Sequence, residues 1–199
     1  MDHDYLKYRE LKQDDVLLIL GAYDGDFMRE KKDEILDKNI YVINIEPDYR
    51  TFKICYDFIQ KNLPLNATVL PVAVWKESGI ISFSNSTVEL ASSITGIDGI
   101  CPVLNQSKIL GMSLDDILTM YKVTCVFADI EGAELDVFLS TEYFTFRYVD
   151  YYAIASYHKR NGEPTWIKLS SYFQKSNFDV TVDLCSEENE TILYARRML

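Results

Sequence analysis

The chain has 199 residues, 48% of them apolar and 26% charged, with a formal net charge of -11. That length fits one domain with a full hydrophobic core and leaves two independent domains cramped, and the composition is that of a soluble globular protein. The acidic balance argues against partners that bind through phosphate neutralisation, so neither nucleic acid nor an anionic membrane is expected, and no stretch approaches the ~18 apolar residues of a membrane helix.

Four cysteines (Cys55, Cys101, Cys125 and Cys185) show no CxxC spacing, and His3 and His158 are the two histidines. The expectation is no disulfide framework and no metal site, with Cys125, inside an apolar run, a buried free thiol. Met1 to Glu10 is polar and charged and does not read as a secretory signal, which makes a cytoplasmic location the default.

Short apolar runs alternate with longer amphipathic segments. Val16–Leu20 (VLLIL) is apolar without alternation, as in a parallel strand covered on both faces. Asp24-Gly25-Asp26 opens a helix through Asp37, with acids in its first turn. Tyr41–Ile45 is the next strand, and Pro47 suits the start of a helix that buries Phe52, Cys55, Tyr56, Ile59 and Leu63. Thr68–Val74 is a third strand and Gly79–Phe83 a shorter peripheral one. Residues 84–108 are rich in Ser, Asn and Gly without a clear period, as in a lid or binding loop that shapes an acceptor pocket. Ser113 caps a helix to about Tyr121, Val123–Ala128 is a buried strand, and Ala133–Ser140 is a short helix. Tyr151–Tyr157 is a strand ending at His158, and Pro164–Lys175 is a helix with Trp166, Leu169 and Phe173 on one face. Asp179–Cys185 and Thr191–Arg196 pair as an antiparallel hairpin at the sheet edge. The sum is a single α/β domain, a Rossmann-like, mostly parallel doubly wound sheet with a C-terminal antiparallel hairpin.

In such sheets ligands bind at the carboxyl ends of the strands. After the first strand comes Gly21-Ala22-Tyr23-Asp24-Gly25, where glycines allow positive φ and a close approach to a ligand; a plain strand-to-helix turn is the alternative. After the second comes Glu46, 25 residues beyond Gly21, placed to accept hydrogen bonds from ribose hydroxyls, or simply an acid favoured at a helix start. Asp129-Ile130-Glu131-Gly132-Ala133-Glu134 brings three carboxylates to a strand end, suited to holding an ammonium group or deprotonating a hydroxyl; of the three, Glu134 best fits a solvated helix-start acid. His158 closes a later strand and is a candidate general base, although a lone histidine is more often structural. Tyr143, Phe144, Phe146, Tyr148, Tyr151 and Tyr152 read as core, with a share in the interface of a homo-oligomer as the alternative.

Five collinear blocks across roughly residues 14–160 resemble the FkbM-type methyltransferases: VLLILGAYDGDF, INIEPDYRTFKICYDFIQKN, TVLPVAVWKESGIISF, MSLDDIL and, the most specific, VFADIEGAELDVF. The resemblance implies a class I methyltransferase fold that uses S-adenosylmethionine, usually for O-methylation of a small-molecule or sugar hydroxyl. By the same implication Gly21, Ala22, Tyr23, Asp24 and Gly25 cradle the methionine end, Glu46 with Pro47 holds the ribose, and Ala73 and its neighbours line the adenine. Asp129 sits beside the methionine portion or the reacting hydroxyl, and Asp129, Glu131 and His158 are the catalytic candidates. The sequence departs from the family at Ile19, where an acid is usual, at Ala128, where Lys is frequent, and at Tyr23, in place of Asn. Asp24 and Asp26 are the carboxylates near enough in sequence to replace the missing acid. Two other classes are weighed: a methyltransferase-fold binding or scaffold protein without activity, favoured by Ile19 and Ala128, and a nicotinamide-dependent oxidoreductase, disfavoured because Gly21 and Gly25 do not make G-x-G-x-x-G.

Overall fold

The computed structural model describes residues 4–86, 93–94, 103–142, 148–184 and 191–198. In chain order the elements are β1 (Val16–Leu20), α1 (Asp26–Glu30), α2 (Lys32–Asp37), β2 (Tyr41–Ile45), α3 (Tyr49–Asn62), β3 (Ala67–Leu70), β4 (Ala73–Trp75), β5 (Gly79–Ser86), β6 (Ser93–Ile94), β7 (Val103–Ser113) and α4 (Leu114–Met120). There follow β8 (Cys125–Ala128), α5 (Glu134–Phe138), β9 (Tyr151–Ala155), β10 (Lys159–Arg160), β11 (Glu163–Pro164), α6 (Trp166–Lys175), β12 (Phe178–Asp183) and β13 (Ile192–Arg197).

Seven strands form the main sheet in the order β3-β2-β1-β8-β9-β13-β12. The pairs from β3 to β9 are parallel, and β13 runs antiparallel to both of its neighbours. The continuous apolar runs are explained by burial on both faces. Leu18 and Leu20 of β1 join Ile43, Ile45, Val126 and Ala128 in one core, closed by Leu114 and Ile117 of α4, Val137 and Phe138 of α5, and Leu169 and Phe173 of α6. Leu17 and Ile19 face the opposite way and join Val42, Phe127 and Ala153 in a second core, closed by Met28, Ile35, Cys55 and Ile59. Chain order reverses at β1: β2 lies on one side of it and β8 on the other, which makes the β1, β2 and β8 ends the topological switch point.

A second sheet, β4-β7-β5-β6, lies beyond β3 in sequence. It corrects two expectations. The strand expected over Thr68–Val74 ends at Leu70, because Pro71 has no N–H for the ladder, and Ala73–Trp75 joins the second sheet instead. The segment 84–108 is not one long loop. β5 continues to Ser86, and β7 begins at Val103 and pairs antiparallel with β5 from Gly79 to Ser86. Asn, Gln, Ser and Lys hid that strand, whose formation rests on cross-strand pairing rather than on propensity. Residues 87–92 and 95–102 lie outside the described residues.

The helix expected over Asp26–Asp37 is two short helices that meet at Lys31, whose backbone leaves helical geometry. Residues 29–34 (REKKDE) bury nothing that would hold one straight helix together. α3 begins two residues later than Pro47 suggests: Asp48 is the N-cap and accepts from the Arg50 N–H at 2.9 Å. Thr51, Cys55 and Ile59 form the buried face of α3, while Tyr56 is exposed. The C-terminal pair forms as expected, but β13 lies inside the sheet and β12 takes the edge. Tyr151 and Tyr152 are fully buried and Tyr148 is exposed; Tyr143, Phe144 and Phe146 lie outside the described residues. Cys55 and Cys125 are buried free thiols; Cys101 and Cys185 lie outside the described residues. Among the described residues no helix is long and apolar enough to cross a membrane.

Candidate functional site

Three strand ends meet at Gly21. Its N–H and that of Ala22 both donate to the Ile45 carbonyl at 3.0 Å, and the Asp129 N–H donates to the Leu20 carbonyl at 2.9 Å. Gly21 has φ +80°, and a Cβ there would stand 1.9 Å from the Asp129 carbonyl oxygen. Only glycine fits this crossing of β1 with β8. Tyr23 follows in the left-handed region at φ +51°, and Gly25 at φ +87° caps α1. Asp24 is held by Arg29, with 2.8 Å between the charged atoms. Asp26 turns back on its own helix start, accepting from the Phe27 N–H at 2.7 Å.

The left-handed turn at Tyr23 aims its N–H at Glu46, whose Oε2 accepts it at 2.8 Å. The other oxygen, Oε1, accepts the Asp48 N–H, also at 2.8 Å, across Pro47. Glu46 is 7% exposed. Burial pushes its carboxyl up to about 7, against the pull of the Asp48 and Tyr23 N–H groups and the Thr51 hydroxyl. With three donors on it, the carboxylate keeps about one of its four acceptor positions and can take a hydroxyl donor while still pinning the glycine loop. An acceptor in that place fits a ribose hydroxyl. Ala73, the proposed adenine neighbour, is buried at the start of β4, three residues past the end of β3.

The third group is brought together from the ends of β8 and β9. Asp129 and Glu131 follow β8, with Glu131 at φ +54° and Gly132 at φ +91° turning the chain sharply into α5. His158 follows β9 and is fixed by its own backbone: its carbonyl accepts the Thr165 N–H at 2.9 Å, closing the small β10–β11 hairpin. His158 Nε2 lies 3.8 Å from Asp129 Oδ1 and 3.6 Å from Glu131 Oε2, and its Nδ1 lies 2.9 Å from Glu134 Oε1. Burial opposes charge on this imidazole, but the carboxylates of Glu134, Glu131 and Asp129 outweigh it and hold the ring protonated well above its ordinary range. Burial likewise raises Glu131, with the His158 contact pulling the other way.

Asp129 and Glu131 from one segment and His158 from another thus converge at one point, beside the glycine loop through the Gly21–Asp129 contact. Glu134 is a correction. It is not a solvated helix-start acid but 0% exposed, with Oε1 accepting the Gly132 N–H at 3.1 Å and facing His158. Two further residues escaped the sequence reading. The Tyr157 hydroxyl lies 3.5 Å from Asp129 Oδ2, and Arg160 donates to the Gly132 carbonyl and pairs with Asp136, both at 2.9 Å. The signal for them was their place beside His158 at the end of β9. Ile19 and Ala128 are both buried in the core.

The strand order, with one antiparallel strand inserted between the last parallel ones, defines the class I methyltransferase fold and differs from the 3-2-1-4-5-6 sheet of dinucleotide-binding folds. Solved structures agree. The chain superposes on the methyltransferase FkbM from Methylobacillus flagellatus with a TM-score of 0.69 and 17% identity, over 94% of this chain and 45% of that one. It thus spans less than half the length of that protein. It matches the precorrin-6y C5,15-methyltransferase of Geobacter metallireducens with a TM-score of 0.54 and 12% identity, over 94% and 84% of the two chains. It matches Aeropyrum pernix fibrillarin, solved with natively bound S-adenosyl-L-methionine, with a TM-score of 0.54 and 11% identity, over 96% and 70%. No protein-family model and no curated protein matches the chain.

Proposed function

We propose that this protein transfers a methyl group from S-adenosylmethionine to a hydroxyl of a small molecule or sugar. The observation that carries the reading is Glu46. A buried carboxylate at the end of β2, tied by the Tyr23 N–H to the Gly21–Gly25 turn, supplies an acceptor for a ribose hydroxyl at the switch point of a methyltransferase sheet.

In this reading Gly21, Ala22, Tyr23, Asp24 and Gly25 hold the methionine end, Glu46 and Pro47 the ribose, and Ala73 with its neighbours the adenine. Asp24 offers a carboxylate to the ammonium group in place of the acid that Ile19 lacks. When bound, the cofactor supplies a methyl group already activated on a sulfonium. The chain's own work is then alignment of the two reactants, exclusion of water and removal of the hydroxyl proton. His158, held protonated by three carboxylates, is poorly placed to accept that proton. Asp129 takes it, with Glu131 and His158 setting its surroundings.

The test is methyl transfer from isotope-labelled cofactor to a panel of hydroxylated small molecules and sugars. Asp129→Ala is expected to lower turnover by about 10²–10⁴-fold; full turnover in that variant removes Asp129 from the role. A second reading, a binding or scaffold protein on the same fold, is favoured by the buried apolar side chains at Ile19 and Ala128. Cofactor binding without transfer to any member of a broad panel selects it.

A further inference from the structure

The ends of β8 and β9 deliver three metal-ligating side chains to one point. A carboxylate oxygen each from Asp129 and Glu131 and an imidazole nitrogen from His158 lie within 4.8 Å of one another. The separations of His158 Nε2 from the two oxygens, 3.8 and 3.6 Å, are too long for hydrogen bonds. Both ring nitrogens of His158 are sealed from solvent and have no hydrogen-bond partner among the described residues, the Nδ1 contact with Glu134 being one of charge. Ligand atoms about 2.0–2.2 Å from a shared ion stand roughly 3–3.5 Å apart, so the two imidazole–carboxylate separations need only a few tenths of an ångström of closure to seat one.

A second observation points the same way. Glu134 is 0% exposed, and its Oε2 has no hydrogen-bond partner among the described residues. Its Oε1 faces His158 Nδ1 at 2.9 Å. A buried carboxylate is costly unless a cation is near. Set 2.9 Å behind Nδ1, this carboxylate would keep the ring's remaining proton on Nδ1 once a metal ion displaces the one on Nε2, leaving the Nε2 lone pair toward Asp129 and Glu131. That is the arrangement by which outer carboxylates orient metal-binding histidines.

We propose that Asp129, Glu131 and His158 bind a divalent first-row transition-metal cation, with Glu134 as the positioning residue behind His158. Two carboxylates and one imidazole leave coordination positions open to water or an acceptor oxygen. The imidazole favours iron or zinc over magnesium and calcium, which prefer oxygen alone, and the two carboxylates also suit manganese. Counting histidines and CxxC spacings did not foresee the site, because its ligands come from two segments joined only by the β8–β9 pairing.

The test uses the full chain and metal alone, so its failure leaves the cofactor reading standing, and failure of cofactor binding leaves the metal site standing. Mn²⁺ and Zn²⁺ are titrated by calorimetry, with Mg²⁺ for comparison. The two histidine rings are followed by NMR as Mn²⁺ is added, with His3→Ala to assign them. The expected result is one site, stronger for Mn²⁺ and Zn²⁺ than for Mg²⁺, and selective broadening of the His158 ring. Asp129→Asn and His158→Gln should each weaken binding at least about tenfold, and Glu134→Gln about 10–100-fold. A His158 ring unbroadened at millimolar Mn²⁺, or a folded Asp129→Asn protein with unchanged affinity, overturns the proposal. If the variants fail to fold, the ring broadening of the unaltered chain decides.

Discussion

Replacing Gly21 by alanine puts the crossing of β1 and β8 to a quantitative test. The new Cβ would stand 1.9 Å from the Asp129 carbonyl oxygen, against ordinary contacts that begin at 3.4 Å. The obstructing atom is backbone, so relief requires the two strand ends to part. The left-handed φ of +80° adds about 1–2 kcal/mol for any residue with a Cβ. The clash adds about 2–3 kcal/mol, the upper part of the range for overpacking a rigid interior. A total near 4 kcal/mol lowers Tm by roughly 8–16 °C in a chain of this size. Gly162 is the control. It has φ +81° with nothing within 4 Å of its would-be Cβ, so Gly162→Ala should cost the backbone share alone. Both variants are melted by circular dichroism and titrated with S-adenosylmethionine. Because Gly21 also positions the Ile45 and Asp129 ends, its variant should lose cofactor affinity where the control keeps it. Equal Tm values for the two variants would refute the reasoning.

Glu46 carries a pH dependence of definite sign. Its folded-state value of about 7 is raised above the ordinary 4.5, so the folded chain favours the protonated form. The resulting stability is present in full below 4.5 and lost as pH rises through about 7, to the extent of about 3 kcal/mol. Urea midpoints should show that fall in the unaltered chain and a smaller one in Glu46→Ala, where Glu131 remains raised. Cofactor affinity should run the other way and tighten between pH 6 and 8, as the carboxylate that accepts a ribose hydroxyl forms; affinity flat over that range contradicts the role. Away from the site, Arg9 and Asp15 form a nearly buried pair 2.8 Å apart. Arg9→Ala should cost about 3–5 kcal/mol in urea unfolding, and a loss under ~1 kcal/mol would count against it. Burial works against the Asp15 charge, but the Arg9 guanidinium, the Lys12 N–H and the Thr124 hydroxyl prevail and hold its carboxyl below the ordinary value. That stability is present above pH 4 and lost as pH falls through the acid range.

How much of this was legible in the sequence depends on how local its cause was. VLLIL and the run ending at Ala128 announced strands covered on both faces, because a residue buried on either side must be apolar. Gly21 and Glu46 were legible as residues just past strands, where the doubly wound sheet puts ligands. β7 was not, since the polar run Asn105–Lys108 carries no strand signal and forms one only through its partner β5. Glu134 was misread for a related reason. An acid in the first turn of α5 looks solvated until the return of β9 sets His158 against it, and no spacing within Glu131-Gly132-Ala133-Glu134 encodes that meeting. The break at Lys31 was readable after the fact, from six charged or polar residues with nothing to bury.

The central claim is a cofactor site built on Glu46 and the Gly21–Gly25 turn, and calorimetry tests it most directly. S-adenosylmethionine and S-adenosylhomocysteine are titrated into the purified chain and into Glu46→Ala, with a nicotinamide dinucleotide as control. The expected result is a single micromolar site for both sulfur compounds, abolished in the variant, and no heat from the dinucleotide. No binding at millimolar cofactor, or binding of the dinucleotide in its place, would contradict the account.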